Sequence, residues 1–317
     1  MKVIVSGSRG PALIDRPDPA ARDGECVVRV KSVLITPTDV RSSHREPAIA
    51  LGHCVIGTVE RLGAETPANR TWLGKRVAVH PVVRCGTCDR CLGGLSAHCR
   101  NRTILGVEGR DGGLAERLAV PIANLTALPD AIDDERASFA VLIGEALEAT
   151  RQIRVDGKAY ITVLGDDIVA LITAQVMTRL NAAVRVIARQ PATLAAAEKL
   201  GVKHRHADEI GRRGDQDVVV DCVGTAESLA FASALVRSRG TVVLKAIAAP
   251  AAGTTAAAAD LSPIVLGELS VQGSFYGPLP EAIELLGKRA VEVTSLIERR
   301  VALDAALPLR SATVVRC

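Results

Sequence analysis

Residues 158–188 read KAYITVLGDDIVALITAQVMTRLNAAVRVIA. Lys158–Leu164 has the length and apolar content of a buried strand. Asp167–Leu180 carries its apolar residues at helical spacing, and Ala183–Ala188 is again short and apolar. Strand, helix and strand in this order form a βαβ unit, whose two strands run parallel. The alternation continues downstream. Pro191–Leu200 reads as a helix ended by Gly201, Asp217–Asp221 as a third strand, Glu227–Val236 as a helix and Thr241–Ala246 as a fourth strand. Leu269–Phe275 adds another strand, Pro280–Ala290 a helix and Ala312–Arg316 a short final strand. The expected fold class is α/β, with a doubly wound parallel sheet.

Upstream the pattern differs. Short apolar runs at Cys26–Val33, Val55–Leu62, Arg76–Val83 and Leu114–Val120 are bounded by Gly, Pro or Asp, and none leads into a long helix. This describes an irregular β-rich domain. The change comes near Asp130, where Asp133–Ile153 takes helical periodicity with acids in its first turn. Residues 251–260, rich in Ala and Thr, read as a loop.

The chain has 317 residues, enough for two cores. Aromatics are 2% of it, so those cores must be built from Ala, Val, Leu and Ile. A net charge of +4 with interspersed signs points to no nucleic-acid partner, and Arg212–Arg213 and Arg299–Arg300 read as solvated faces. The most apolar helix, Ile168 to Leu180, is interrupted by Thr173, Gln175, Thr178 and Arg179, so no membrane span is expected. The N-terminus reads as a strand rather than a signal peptide, and a cytoplasmic location is expected.

In a reducing compartment, clustered cysteines read as metal ligands. Cys85-x2-Cys88-x2-Cys91-x7-Cys99 supplies four thiolates, a full tetrahedral shell for one structural zinc ion per chain, with no position left for water or substrate. The alternative is two disulfides or idle thiols. Cys26 and Cys222 are expected to be buried and inert, and Cys317 exposed.

The cysteine loop lies between Leu51-Gly52-His53-Cys54 and Gly112-Gly113-Leu114-Ala115-Glu116 and precedes the βαβ region. In this the chain resembles the zinc-containing medium-chain dehydrogenase/reductase family, its zinc-dependent alcohol dehydrogenase branch. The resemblance covers nearly the whole chain. It implies a GroES-like catalytic domain over 1–128, a Rossmann cofactor domain over 129–272 and a return segment over 273–317 that completes the first. It further implies a cleft between the domains, hydride transfer between NAD(P)(H) and a small alcohol or carbonyl, a second, catalytic zinc and a homodimer or homotetramer.

Several positions depart from that family. Where it carries a ligand cysteine this chain has Thr36, followed by Thr38 at a proton-relay position and Asp39 at the carboxylate that orients a histidine. His53 is kept, Cys54 replaces a glutamate, and Glu145 matches a further ligand position. Cys54 or His44 could complete a rewired metal site; otherwise a hydroxyl or imidazole would supply the proton without a metal. The dinucleotide fingerprint reads Gly165-Asp166-Asp167-Ile168-Val169-Ala170, with Asp167 where a glycine should face the diphosphate. The second strand ends at Ala188-Arg189 with no acid for the ribose, which favours NADP(H). Two functional classes remain: an oxidoreductase, or a non-catalytic binding or assembly protein that keeps the fold and the zinc.

Overall fold

The computed structural model describes residues 1–154, 157–211, 213–246 and 258–317. It divides into two compact units, Met1–Val141 with Leu279–Cys317, and Leu142–Pro278.

The first unit begins with β1 (Lys2–Val5), β2 (Ala12–Asp15), β3 (Glu25–Ile35), α1 (Pro37–Ser42), β4 (Cys54–Leu62), β5 (Arg76–Val79) and β6 (Val82–Val83). It continues through α2 (Asp89–Leu92), β7 (Thr103–Leu105), β8 (Gly109–Arg110), β9 (Arg117–Pro121), β10 (Leu125–Ala127) and α3 (Asp134–Ala137). The chain then runs through α4 (Ala140–Arg151), β11 (Ala159–Leu164), α5 (Ile168–Met177), β12 (Ala182–Ala188), α6 (Pro191–Lys199) and β13 (Lys203–His206). Next come β14 (Gln216–Asp221), α7 (Ala226–Leu235), β15 (Val236–Leu244), α8 (Ser262–Leu266) and β16 (Ser270–Gly273). It returns to the first unit with α9 (Leu279–Gly287), β17 (Arg299–Ala302) and β18 (Thr313–Arg316).

In the first unit a seven-stranded sheet has the order β10-β5-β4-β3-β18-β17, with β9 also on β3. β3 is long enough to serve two neighbours along one edge. Its Glu25–Arg29 half pairs with β9, and its Ser32–Ile35 half pairs with β18. The core beneath is aliphatic: Val28, Val30, Val33, Ile35, Val55 and Val77 are each at most 1% exposed.

Glu60 on β4 ties this region together. It accepts from Arg29 on β3 at 2.6 Å and from Arg117 on β9 at 2.8 Å. Those bonds, that of Arg117 first, hold its carboxyl down to about 2, against an ordinary 4.5. The folded value lies below the unfolded one. The stabilisation is therefore full above pH 4.5 and is lost as pH falls towards 2. Allowing for screening at a partly solvated site, it amounts to about 1 kcal/mol. Glu60→Gln should accordingly lower the urea midpoint at pH 7 and leave it unchanged near pH 2; equal losses at both pH values would refute the assignment.

The second unit is a six-stranded sheet in the order β13-β12-β11-β14-β15-β16, parallel throughout. Val163, Val186, Val219, Val220, Val242 and Val243 are each fully buried, as strands covered on both faces require.

Several expected bounds shift. The single helix over Asp133–Ile153 is two, α3 and α4, because Ser138 turns its hydroxyl back onto the Glu135 carbonyl at the end of α3. The run Arg76–Val83 breaks at His80–Pro81, where proline has no N–H for a ladder. The strand expected over Leu114–Val120 starts later, at Arg117, because Leu114 is bonded to the Leu51 carbonyl in a loop. The charged edge strand β13 carries no apolar alternation and was not legible. Arg300, expected on a solvated face, pairs with Glu135, as does Arg316. Cys317 is half-buried rather than exposed, and burial pushes its thiol up to about 12. The loop expected over 251–260, apart from 258–260, and Arg212 lie outside the described residues.

Candidate active site and zinc lobe

The four loop cysteines converge. Their sulfur atoms all lie within 4.8 Å of one another, and none is disulfide-bonded. Cys99 Sγ is 3.5 Å from Cys85 Sγ and 3.8 Å from Cys88 Sγ. A disulfide would need about 2.05 Å. Four sulfurs at about 2.3 Å from one zinc stand roughly 3.8 Å apart. The spacing therefore fits a tetrahedral ion and excludes paired disulfides. Local backbone shapes this cup: Gly86 and Gly94 take positive φ values of 78° and 80°, and the short helix α2 carries Cys91. Hydrogen bonds from the Thr87 and Cys88 backbone lower the Cys85 thiol to about 5, while desolvation pushes the Cys91 thiol up to about 12. Arg100 closes the lobe outside with two 2.8 Å bonds to Asp89.

His53 and Asp39 form a second centre in the same unit. His53 is 1% exposed and Asp39 fully buried, and Nδ1 lies 2.9 Å from Asp39 Oδ1. Gly52 sets the histidine in place. Its φ is +91°, and a Cβ there would stand 2.8 Å from the Leu114 nitrogen, so the Gly112-Gly113-Leu114 segment packs directly against it. Burial alone would raise the Asp39 carboxyl, but the charge and hydrogen bond of His53, with bonds from Thr36, outweigh it and hold it below its ordinary value. An ionised Asp39 accepts from Nδ1–H, which leaves the ring lone pair on Nε2. Nε2 is thereby the basic nitrogen of the ring, which takes a proton as neutral imidazole and gives one only as the imidazolium.

Thr36 has a different part from the thiolate whose position it occupies. It is the N-cap of α1. Its hydroxyl donates to Asp39 Oδ2 at 2.8 Å and accepts from the Thr38 and Asp39 amides, while its own N–H donates to Asp39 Oδ2 at 2.7 Å. This capping box fixes the carboxylate that in turn fixes His53. Thr38 is half-buried and accepts from Arg41 at 3.2 Å. Cys54 is fully buried at the start of β4, and His44 is exposed. Among the described residues of this unit, no second group of three or more His, Cys, Asp or Glu donors comes together. The unit therefore does not by itself assemble a catalytic zinc shell. A cavity of about 400 Å³ in this unit lies against Arg16, Glu25, Arg110 and Arg117 and is lined by none of the candidate residues.

In the second unit, Glu145 on α4 is 3.3 Å from Lys245 Nζ, whose side chain is 2% exposed. That ammonium neutralises the carboxylate considered as a ligand, and breaking such a buried pair is costly. Lys245 follows β15, and Asp221 ends β14, where it accepts from the Val223 and Gly224 amides at 2.8 and 3.1 Å and from Ser228 Oγ at 2.6 Å. Neither was singled out from sequence; the Asp221-x-x-Gly224 turn after an apolar run was the available signal. Cys222 and Cys26 are buried, and burial pushes both thiols up to about 12, so neither is a ready nucleophile.

The loop after β11 lies at the carboxyl edge of the sheet beside the order reversal between β11 and β14, where doubly wound folds bind nucleotides. Gly165 fits such a loop: a Cβ there would stand 2.8 Å from the Ala170 Cβ and 3.1 Å from the Cys222 Cβ. Asp167 fits less well. It caps α5, accepting from the Val169 and Ala170 amides at 2.9 and 3.3 Å, and so occupies donors that a diphosphate would use. Ile168, the first residue of α5, is buried. Asp166 Oδ1 accepts from the Arg189 and Gln190 amides, both at 2.6 Å, and Arg189 pairs through its guanidinium with Glu227 at 2.9 Å.

Comparison with known proteins follows the two units. Residues 22–130 match the alcohol dehydrogenase GroES-like domain, and residues 169–288 match the zinc-binding dehydrogenase family. An L-threonine 3-dehydrogenase of Mesorhizobium japonicum is 27% identical over 223 residues, 64% of this chain and 61% of that protein. The L-galactonate-5-dehydrogenase of Escherichia coli K12 is 28% identical over 241 residues, 71% and 69% of the two chains. The chain thus spans about half to two thirds of the length of the curated relatives it matches. Among solved structures, a zinc-binding dehydrogenase from Sinorhizobium meliloti 1021 bound to NADP superposes with a TM-score of 0.86 at 25% identity, covering 100% of this chain and 99% of that one. An alcohol dehydrogenase of Escherichia coli CFT073 complexed with NADH shares the fold at 22% identity, with a TM-score of 0.86 and the same coverage.

Proposed function

Because the chain belongs to the zinc-dependent medium-chain dehydrogenase/reductase family, we propose that it is an oxidoreductase moving hydride between a nicotinamide dinucleotide and a small alcohol or carbonyl. The observation that carries this reading is the parallel sheet with Gly165 packed tightly at its order reversal, the setting in which doubly wound folds take dinucleotides. The nicotinamide, when bound, gives or accepts the hydride. Residues 1–128 and 273–317 form the catalytic domain in this reading, and 129–272 the cofactor domain.

The protein's own residues handle the proton. Asp39 holds His53 in one tautomer, and Thr36 holds Asp39. As the imidazolium, His53 Nε2 gives a proton to a carbonyl substrate during reduction; as the neutral imidazole left behind, it removes one from an alcohol during oxidation. Thr38 can relay that proton. One zinc per chain is expected, held by Cys85, Cys88, Cys91 and Cys99. It is structural, since four protein thiolates leave no open position. No step is assigned to a catalytic zinc, because Thr36 is committed to its cap and Glu145 to Lys245.

No described helix is long and apolar enough to cross a membrane. A cytoplasmic location and a homo-oligomer are part of the same proposal. β16 supports the latter as a sheet-edge strand whose residues are all exposed.

Titration with NADH and NADPH, followed by nicotinamide fluorescence, tests the reading. Saturation in the micromolar range is expected for at least one; no saturation by millimolar concentration would favour the non-catalytic alternative. On a panel of small alcohols and carbonyls, His53→Ala should lower turnover about 10²–10⁴-fold while leaving dinucleotide affinity unchanged. Asp39→Asn should cost about 10–100-fold through the misplaced imidazole.

A further inference from the structure

We propose that Asp166 selects NAD(H) over NADP(H) by holding a carboxylate at the end of β12, where the adenosine ribose lies in doubly wound folds. The inference rests on the dinucleotide reading above and refines it. Read by strand ends alone, Ala188-Arg189 offers no acid for ribose hydroxyls and one cation for a 2′-phosphate. The folded chain brings an acid there from another segment. Asp166 follows β11, and the parallel pairing of β11 with β12 sets Leu164 beside Ile187. From that edge Asp166 reaches the amides of Arg189 and Gln190, both at 2.6 Å.

One oxygen does all of this work. Oδ1 accepts from both amides, and Oδ2 has no partner among the described residues. Asp166 is exposed, so Oδ2 is open to a ligand. A carboxylate fixed at one oxygen and free at the other suits the acceptance of hydrogen bonds from the ribose 2′- and 3′-hydroxyls. The same arrangement opposes a 2′-phosphate twice. The phosphate loses two backbone donors already given to Oδ1, and its charge meets a carboxylate.

The neighbouring cations do not offset this. The Arg189 guanidinium is engaged by Glu227 at 2.9 Å, and His206 Nε2 is 3.1 Å from the Arg189 carbonyl. The same Asp166 bonds also serve α6, whose N-cap Gln190 makes no side-chain capping bond. A purely structural role would account for the geometry, but it would leave the preference between the two dinucleotides untouched by substitution. That difference makes the test decisive.

The test is fluorescence titration of the zinc-loaded protein with NADH and with NADPH, repeated for Asp166→Gly and Asp166→Asn. Zinc content and far-UV circular dichroism confirm that each variant is folded. The wild type should bind NADH at least about tenfold more tightly than NADPH, the cost of one like-charge contact. Asp166→Gly should bring that ratio to unity or invert it, chiefly by a gain in NADPH affinity. Asp166→Asn, which removes the charge and keeps an acceptor, should fall between. A wild type that prefers NADPH, or a ratio unchanged in both variants, overturns the assignment of Asp166 while the dinucleotide reading stands. Saturation by neither dinucleotide in any of the three proteins overturns both.

Discussion

Cys99→Ala is expected to abolish zinc binding, taking the purified protein from one zinc equivalent to none. Cys99 is the innermost ligand, fully buried, with Cys85 and Cys88 sulfurs 3.5 and 3.8 Å away. The Cys85 amide also donates to it at 3.4 Å. Removing that thiolate leaves three ligands around an ion that takes four in structural sites. The lobe has little else to hold it. Its helix α2 has four residues, and Leu92 and Leu95 are 77% and 49% exposed, so its own leucines build no apolar core. Zinc binding to such sites contributes about 10–16 kcal/mol in isolated zinc peptides, which is folding energy where no core exists. Elemental analysis should show the loss of zinc. Limited proteolysis should show cleavage between residues 85 and 102 rising by about tenfold or more. The β sheet, with its own aliphatic core, should keep its circular dichroism. A variant retaining a full equivalent would place the ion elsewhere.

Asp167→Gly is expected to move stability and cofactor affinity in opposite directions. The side chain caps α5 through the Val169 and Ala170 amides. Losing a cap costs up to about 2 kcal/mol, less for glycine, and the added backbone freedom increases the loss. The melting temperature should therefore fall by a few degrees. The same substitution frees two helix N-terminal donors and removes a negative charge from the place of a diphosphate. NADH and NADPH should both bind about ten- to a hundredfold more tightly, corresponding to about 1.4–2.8 kcal/mol. Equal gains distinguish this site from Asp166, whose substitution changes the ratio. Loss of both stability and affinity would mean that the carboxylate supports the bound state, for example through a cation.

The βαβ alternation was legible because strand and helix periods are properties of a single segment, visible in the apolar spacing of Ala159–Leu164 and Ile168–Met177. The zinc lobe was legible for the same reason: its four ligands fall within fifteen consecutive residues, and two-residue gaps nearly dictate their convergence. By contrast, the role of Thr36 was not. Its residue type permits a cap, a relay or a poor ligand, and the choice was made by Asp39 three residues on and His53 seventeen residues on.

Sequence by itself thus determined the fold class and the four-cysteine cluster, since each depends on residues close along the chain or on a periodic pattern; the pairing of His53 with Asp39 was an expectation carried by the resemblance. Tertiary structure alone decided which polar groups are already spent. Glu145 meets Lys245 across one hundred positions, and Asp166 reaches amides twenty-three and twenty-four positions away, because parallel pairing brings distant strand ends to one edge. A donor or carboxylate has few bonding positions, and which neighbour takes them is set by that packing rather than by residue type.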